Sequence, residues 1–297
     1  PKKQVLHRYT VCCPRSTLPN PSSNRLKTMT KTIGFFAYPS APYEIGQTIE
    51  VATLAISKSS PNIEIKTWKA LDIIGHFISS EVLAEINAAD FLIADISELN
   101  FNVTYEIAYA IGKSKKVFLV KNNSLNPKGV KISDVGIFDT LGYREYQNSS
   151  ELHKYLSEAQ TFRAIDVGTP LNLKAPVYLL DTPSKTDWSN RIISRIKKAG
   201  YIFRNFDPNE SPRLSAHDAI TQVAQSYGVV VPLLSAVHTG AQIHNMRAAF
   251  IAGLADGMGK TRVILQSGDD PVPLDYRDFV EATYHPDDVN KSIEAFA

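Results

Sequence analysis

The chain has 297 residues, 43% hydrophobic and 21% charged, which is enough to build two domains of ordinary size with real cores. No apolar run reaches the roughly 18–20 residues of a membrane-spanning helix. The formal charge of +2 is too small for a dedicated polyanion binder.

That charge is unevenly placed. Residues 1–28 hold six basic side chains (Lys2, Lys3, Arg8, Arg15, Arg25, Lys27) and no acidic one, leaving 26 Lys and Arg against 30 Asp and Glu in the rest. The body is mildly acidic, so nucleic acid is disfavoured as a partner. Both cysteines, Cys12 and Cys13, are adjacent in this leader. They cannot staple the body, and no Cys/His spacing fits a metal site, so neither a metal nor another cofactor is expected, and the compartment is read as a reducing cytoplasm. The leader has no hydrophobic periodicity and no apolar signal-peptide core. It is expected to be disordered, with a nucleic-acid-binding arm as the alternative, and whether it is native coding sequence stays open.

From Thr32 the pattern alternates strand and helix. Ile33–Tyr38 is a buried strand ended by prolines, followed by an amphipathic helix from Tyr43 to Ser57 with Ile45, Ile49, Ala52 and Ile56 on one face. Next come a strand at Ile63–Thr67, a helix at Ile78–Ala88, a strand at Phe91–Asp95, a helix at Val103–Gly112 and a strand at Val117–Val120. Tyr143–Tyr146 then precedes a helix from Ser149 to Gln160.

The second half repeats this order. Strands at Val177–Leu180, Tyr201–Asn205, Tyr227–Pro232 and Arg262–Gln266 alternate with helices at Asp187–Ala199, Ser215–Ala224 and Asn245–Gly257. Glu281–Tyr284 before a helix at Asp287–Phe296 matches the end of the first half. The reading is α/β: two tandem flavodoxin-like, Rossmann-like modules, each a parallel sheet of about five strands with helices on both faces. The modules span 29–165 and 177–297, joined by a Pro- and Gly-bearing linker, 166–176. They form an intramolecular pseudo-dimer, with homo-oligomerisation left open.

Ligands of open parallel sheets bind beyond the carboxyl ends of the strands. There Asp95 ends a strand, and Glu106 falls in the first turn of the next helix, where free amides and the helix dipole favour a carboxylate. Both are expected to face one crevice and to share one concave pocket. No phosphate-cradling Gly-x4-Gly-Lys-Ser/Thr loop is present, and no Gly-x-Gly-x-x-Gly follows the first strand. Phosphoryl transfer and dinucleotide redox chemistry are therefore disfavoured.

The run Ala89-Asp-Phe-Leu-Ile-Ala-Asp-Ile-Ser, then Asn100, Asn102 and Tyr105-Glu106-Ile-Ala-Tyr-Ala-Ile-Gly112, resembles the nucleoside 2-deoxyribosyltransferase-like superfamily, related in fold to TIR-like nucleotide hydrolases. The resemblance covers residues 32–121 and weakens toward 160; Ala108 stands where that pattern commonly has Gly. It implies an N-glycosidic hydrolase or transferase acting on a nucleoside, nucleotide or NAD-type substrate. Glu106 would be the nucleophile at C1′ through an oxocarbenium-like transition state, and Asp95 the group assisting the leaving base. A loop-capping role is the alternative for Asp95. Tyr38, Ser40 and Tyr43 after the first strand, and Trp68 and Gly75 with Lys69, Asp72 and His76 after the second, would line the substrate site. Asn100 and Asn102 would bind sugar hydroxyls or form Asx turns, and Tyr105 would pack beneath the site.

Aligning Asn102 with Asn245 sets Glu106 against Ala249, so the second copy lacks the nucleophile. Its His244, Asn245 and Arg247 offer candidate ligand contacts, either for a nucleotide bound without cleavage or for completing the first site. A decayed scaffold is the alternative. For the whole chain, a non-catalytic nucleotide sensor stands as the second functional reading.

Overall fold

The computed structural model describes residues 31–71, 78–126, 128–268, 270–272 and 274–296. The leader, with Cys12 and Cys13, and the candidates Asp72, Gly75 and His76 lie outside the described residues.

The first module runs β1 (Thr32–Ala37), α1 (Tyr43–Ser59), β2 (Ile63–Thr67), α2 (Ile78–Ala88), β3 (Phe91–Asp95), α3 (Phe101–Gly112), β4 (Lys116–Asn122), a one-turn α4 (Ile132–Val135), β5 (Tyr143–Tyr146) and α5 (Ser149–Glu158). The second runs β6 (Val177–Leu180), α6 (Asp187–Lys198), β7 (Phe203–Phe206), α7 (Ala216–Ala224), β8 (Gly228–Leu233), α8 (Ala241–Gly257), β9 (Thr261–Ser267), β10 (Val280–Thr283) and α9 (Pro286–Phe296), with a 3-10 segment at Leu274–Phe279. Each sheet has five strands, in the orders β2-β1-β3-β4-β5 and β7-β6-β8-β9-β10, and every recorded pairing is parallel. The two orders are the same once β6 is taken as the first strand of its copy. The chain is thus two tandem Rossmann-like α/β modules.

Strand parity assigns the layers. In β3, Phe91 and Ile93 pack with Ile45 and Ile49 of α1 and Leu152 and Leu156 of α5, while Leu92 and Ala94 pack with Val82 of α2 and Ile107 of α3. The α3 side is the larger core and runs without a break into the second module, through α8 residues such as Phe250 and Leu254. Residues 31–297 form one compact unit.

α3 and α8 cross at backbone distance. A Cβ added to Gly112 would sit 2.7 Å from the Leu254 carbonyl oxygen and 2.8 Å from the Gly257 Cα. Gly257 in turn abuts the Tyr109 carbonyl and Gly112, and Gly253 abuts the Tyr105 carbonyl and the Ala108 side chain. The contacts are reciprocal, the mark of an isologous, two-fold interface, here closed inside one chain. These small residues let α3 and α8 approach at backbone distance. Around them, Thr104 donates to the Met246 sulfur at 2.9 Å, and the Tyr105 hydroxyl donates to Asp256, itself paired at 3.1 Å with Arg262.

This packing also corrects the alignment of the copies. β3 opens opposite Lys116 and β8 opposite Thr261, each four residues after Gly112 and Gly257. Ser114 and Gly259 take the same left-handed conformation, and Lys115 and Lys260 bond back to Ala110 and Ala255. Glu106 therefore matches Ile251, not Ala249, and Asn102 matches Arg247. Ala108 faces its own counterpart, Gly253. Anchoring on the two asparagines shifted the helix by two residues.

Candidate functional site

In a sheet of order 2-1-3-4-5 the connections leave β1 and β3 in opposite directions, opening a crevice beyond their carboxyl ends. A cavity of about 200 Å³ lies there, lined by Tyr38, Pro39 and Ser40 after β1, Trp68 after β2, Ile78 and Val82 of α2, and Asn100, Asn102, Val103 and Glu106 around the start of α3. Six of the sequence candidates meet at this one place: Tyr38, Ser40, Trp68, Asn100, Asn102 and Glu106.

Local structure explains their presentation. Asn100 is the N-cap of α3, its side-chain oxygen accepting from the Asn102 and Val103 amides at 2.8 and 3.3 Å. The cap fixes where the helix begins and brings Glu106 to the cavity in its second turn. Glu106 is 7% exposed. Tyr38 and Trp68 stand with ring centroids 5.8 Å apart at a 47° tilt. The Tyr38 hydroxyl, the Trp68 indole nitrogen and the Asn102 side-chain oxygen are all buried without a hydrogen-bond partner, although Thr67 lies close to Tyr38. Unpartnered buried polar atoms are rare in folded proteins, and three of them belong to residues that line this one cavity. Burial also holds the Tyr38 hydroxyl above its ordinary pKa, so it is protonated at neutral pH.

Asp95 is elsewhere. It follows the parity of Phe91 and Ile93, onto the α1/α5 face, and is completely buried. Its carboxylate accepts from the Tyr146 hydroxyl of β5 at 2.6 Å and from the Ser97 amide at 2.9 Å. Burial raises its pKa against those hydrogen bonds. It ties β3 to β5 and does not line the Glu106 cavity, so the shared two-carboxylate pocket expected from the sequence is not formed.

Two other candidates are placed apart. Tyr43 is 63% exposed on α1, with the Lys69 ammonium 5.4 Å from its ring. Tyr105 points away from the cavity into the α3–α8 contact, where burial and then Asp256 raise its pKa. The second-copy candidates are committed to backbone. His244 contacts the Pro232 carbonyl at 2.8 Å, and burial pushes its pKa down to about 4. Asn245 makes both side-chain bonds to Leu234. Arg247 is buried across the module junction, donating to the carbonyls of Val135, Asp134 and Pro212 at 2.7–3.0 Å, with Phe206 beneath its guanidinium. It caps the end of α4 from the other copy. None of the three presents a free group to a ligand.

Sequence reasoning missed the apolar wall, Ile78, Val82 and Val103. Val82 and Ile86 at helical spacing signalled an inward face of α2, but nothing local said that its first turn meets the mouth of β1. Among the described residues no cluster of His, Cys, Asp and Glu is arranged to hold a metal ion, and no helix is long and apolar enough to cross a membrane. No protein-family model matches the chain, and neither does any curated protein.

Proposed function

We propose that the first module is a nucleoside-binding module, with the base between Tyr38, Trp68 and the apolar wall and the sugar toward Asn100, Asn102 and Glu106. The observation that carries this reading is the convergence, at the β1/β3 crevice, of an aromatic pair, a buried carboxyl group and three buried polar atoms without partners. A hydroxyl both donates and accepts, so a sugar can satisfy an indole N–H and an amide oxygen alike. At about 200 Å³ the cavity is smaller than the ~300–1,000 Å³ of a drug-sized site and suits one nucleoside rather than a dinucleotide.

Neutral nucleosides are bound here without cleavage. Expelling a neutral base needs a proton delivered to it, and Asp95, the residue assigned that part, lies on the other face of the sheet. The second copy is read as a scaffold that presses α8 against α3.

A second reading, N-glycosidic hydrolysis or transfer with Glu106 as nucleophile, is favoured by Glu106 lining the same cavity as Tyr38, whose protonated hydroxyl has no hydrogen-bond partner. One experiment separates the two. The full chain is incubated with nucleosides, nucleoside monophosphates and NAD, and both melting temperature and free base are followed. Binding without release is expected for neutral bases. Free base from a neutral nucleoside, abolished by Glu106→Gln, establishes the second reading, and no melting shift with any compound removes both.

A further inference from the structure

We propose that the first module holds a second ligand site, for a small aromatic carboxylate, on the α3 side of the sheet beyond the ends of β3 and β4. The site is separate from the nucleoside cavity and stands independently of that reading.

A cavity of about 360 Å³ lies there, within the ~300–1,000 Å³ range of small-molecule sites. Its floor is apolar, made by Ile96 and Leu99 of the β3–α3 loop and by Val130 and Ile132 at the start of α4. Lys121 follows the parity of Leu119, so the end of β4 directs it to this face. Tyr143, which opens β5, adds an aromatic wall, with the Lys121 ammonium 5.7 Å from its ring centroid. Among the described residues, this cavity shares no lining residue with the one that holds Glu106.

Charge selects the ligand. The described lining residues that carry charge are Lys121, Lys131 and Asp139. Asp139 already faces Arg213 of the second module at 3.6 Å. Lys121 reaches Glu145 at 3.4 Å, but that carboxylate is half in solvent, so the pair is weak and the ammonium can turn to a ligand at little cost. Cations therefore outweigh the one acid around an apolar floor, which suits an anion on an apolar body. A ring with one carboxylate lays its face on Leu99 and Tyr143 and its charge at Lys121. An uncharged ring forgoes the ion pair, and a cationic one meets two lysines.

The walls are fixed before a ligand arrives. Ser97, on the lining, donates its amide to Asp95 at 2.9 Å, and its hydroxyl oxygen accepts from the Asn122 amide at 2.6 Å. Behind the cavity, Arg247 holds α4 by the Asp134 and Val135 carbonyls. Preformed walls spare the ordering cost of binding. The second module lacks this set. Leu119 pairs with Tyr143 as Ile264 pairs with Val280, so Gln266 stands for Lys121 and Val280 for Tyr143. Leu234 stands for Ser97 by the same count from β3 and β8. Gln266 donates to the Asp270 carbonyl at 2.6 Å, within its own loop. One carboxylate site per chain follows.

The test uses the intact chain with 2-naphthoate, its uncharged amide 2-naphthamide, and the 2-naphthylmethylammonium cation, each titrated by calorimetry. Inosine melting shifts are followed in parallel. Naphthoate should bind once per chain and at least tenfold more tightly than the amide or the cation. Lys121→Met should erase that preference, and Val130→Trp, which fills the cavity, should abolish binding while the inosine response stays as in wild type. Circular dichroism verifies both folds, with Ile132→Trp in place of Val130→Trp if the latter does not fold. Equal binding of the amide or the cation overturns the charge assignment. Naphthoate binding retained in a folded, cavity-filled variant overturns the location, and no naphthoate binding overturns the site. Naphthoate binding without any inosine response removes the nucleoside reading and leaves this site in place.

Discussion

Substituting Gly112 by Ala probes the contact on which the two-copy architecture depends. The added Cβ would lie 2.7, 2.8 and 2.9 Å from the Leu254 oxygen and from the Gly257 Cα and carbonyl carbon, all backbone atoms of one helix. No side chain can rotate aside, so α3 and α8 must separate by several tenths of an ångström. Overpacking of this kind costs about 1–3 kcal/mol, and a rigid backbone partner puts the cost near the top of that range. Alanine returns about 1 kcal/mol through its better helix propensity, leaving a net loss of about 2 kcal/mol. For a unit of this size that lowers Tm by about 4–8 °C. Gly142→Ala is the matched control, because its Cβ meets nothing within 4 Å. There the reduced freedom of the unfolded chain should leave stability unchanged or raised by about 0.4–1 kcal/mol. Differential scanning calorimetry of wild type and the two variants decides the matter. A Gly112→Ala protein that melts at or above wild type would falsify the close α3–α8 contact.

Other expectations follow from individual groups. His244 has a pKa of about 4 folded against 6.5 free, so the unfolded chain takes up the proton first. Stability should be whole above pH 6.5 and fall by up to about 3 kcal/mol between 6.5 and 4, a slope that His244→Gln removes in denaturant titrations at several pH values. Asp95 behaves with the opposite sign: its folded pKa is raised above 3.8, so its stabilising share is complete below that value and is lost as pH rises through the folded pKa. Asp95→Asn keeps an acceptor for Tyr146 and cannot ionise, so relative to wild type it should gain stability as pH rises from 4 to 7 while binding nucleoside unchanged; a lost ligand response would return Asp95 to the site. Arg247→Met should cost about 2–4 kcal/mol by stranding the carbonyls it caps, again with ligand affinity intact in a thermal-shift titration. Asp256→Ala removes the carboxylate that the Tyr105 hydroxyl and Arg262 share, and urea unfolding should register a loss of about 1–3 kcal/mol.

Much of the fold was legible because helical and alternating periodicities are local. The α2 span, Ile78–Ala88, stands where the pattern put it, and the repeated end units became β5–α5 and β10–α9. Elements without periodicity escaped: the single turn of α4, the 3-10 segment at Leu274–Phe279, and the first turn of α8. That turn begins four residues before the expected Asn245, after a left-handed Gly240 that carries no side-chain cap. The candidate site was legible where residues sit at strand ends, since parallel topology gathers strand ends at one edge. Asp95 misled because its position at the end of β3 was read without its parity, although Phe91 and Ile93 already pointed that face toward α1. Tyr105 and Arg247 misled for a different reason. Their partners, Asp256 and the α4 carbonyls, lie more than 100 residues away, and helix packing between copies leaves no local signal beyond a few small residues. Gly253 and Gly257 were that signal, and reading them as the counterparts of Ala108 and Gly112 would have set the register correctly.

The most direct test of the central claim is a crystal structure of the full chain grown with a neutral nucleoside, inosine. One ligand per chain is expected, its ring against Trp68 and Tyr38 and its C1′ facing residue 106, with nothing bound at the Ile251 position of the second copy. A ligand seated elsewhere, or an empty cavity at saturating concentration, would contradict the account.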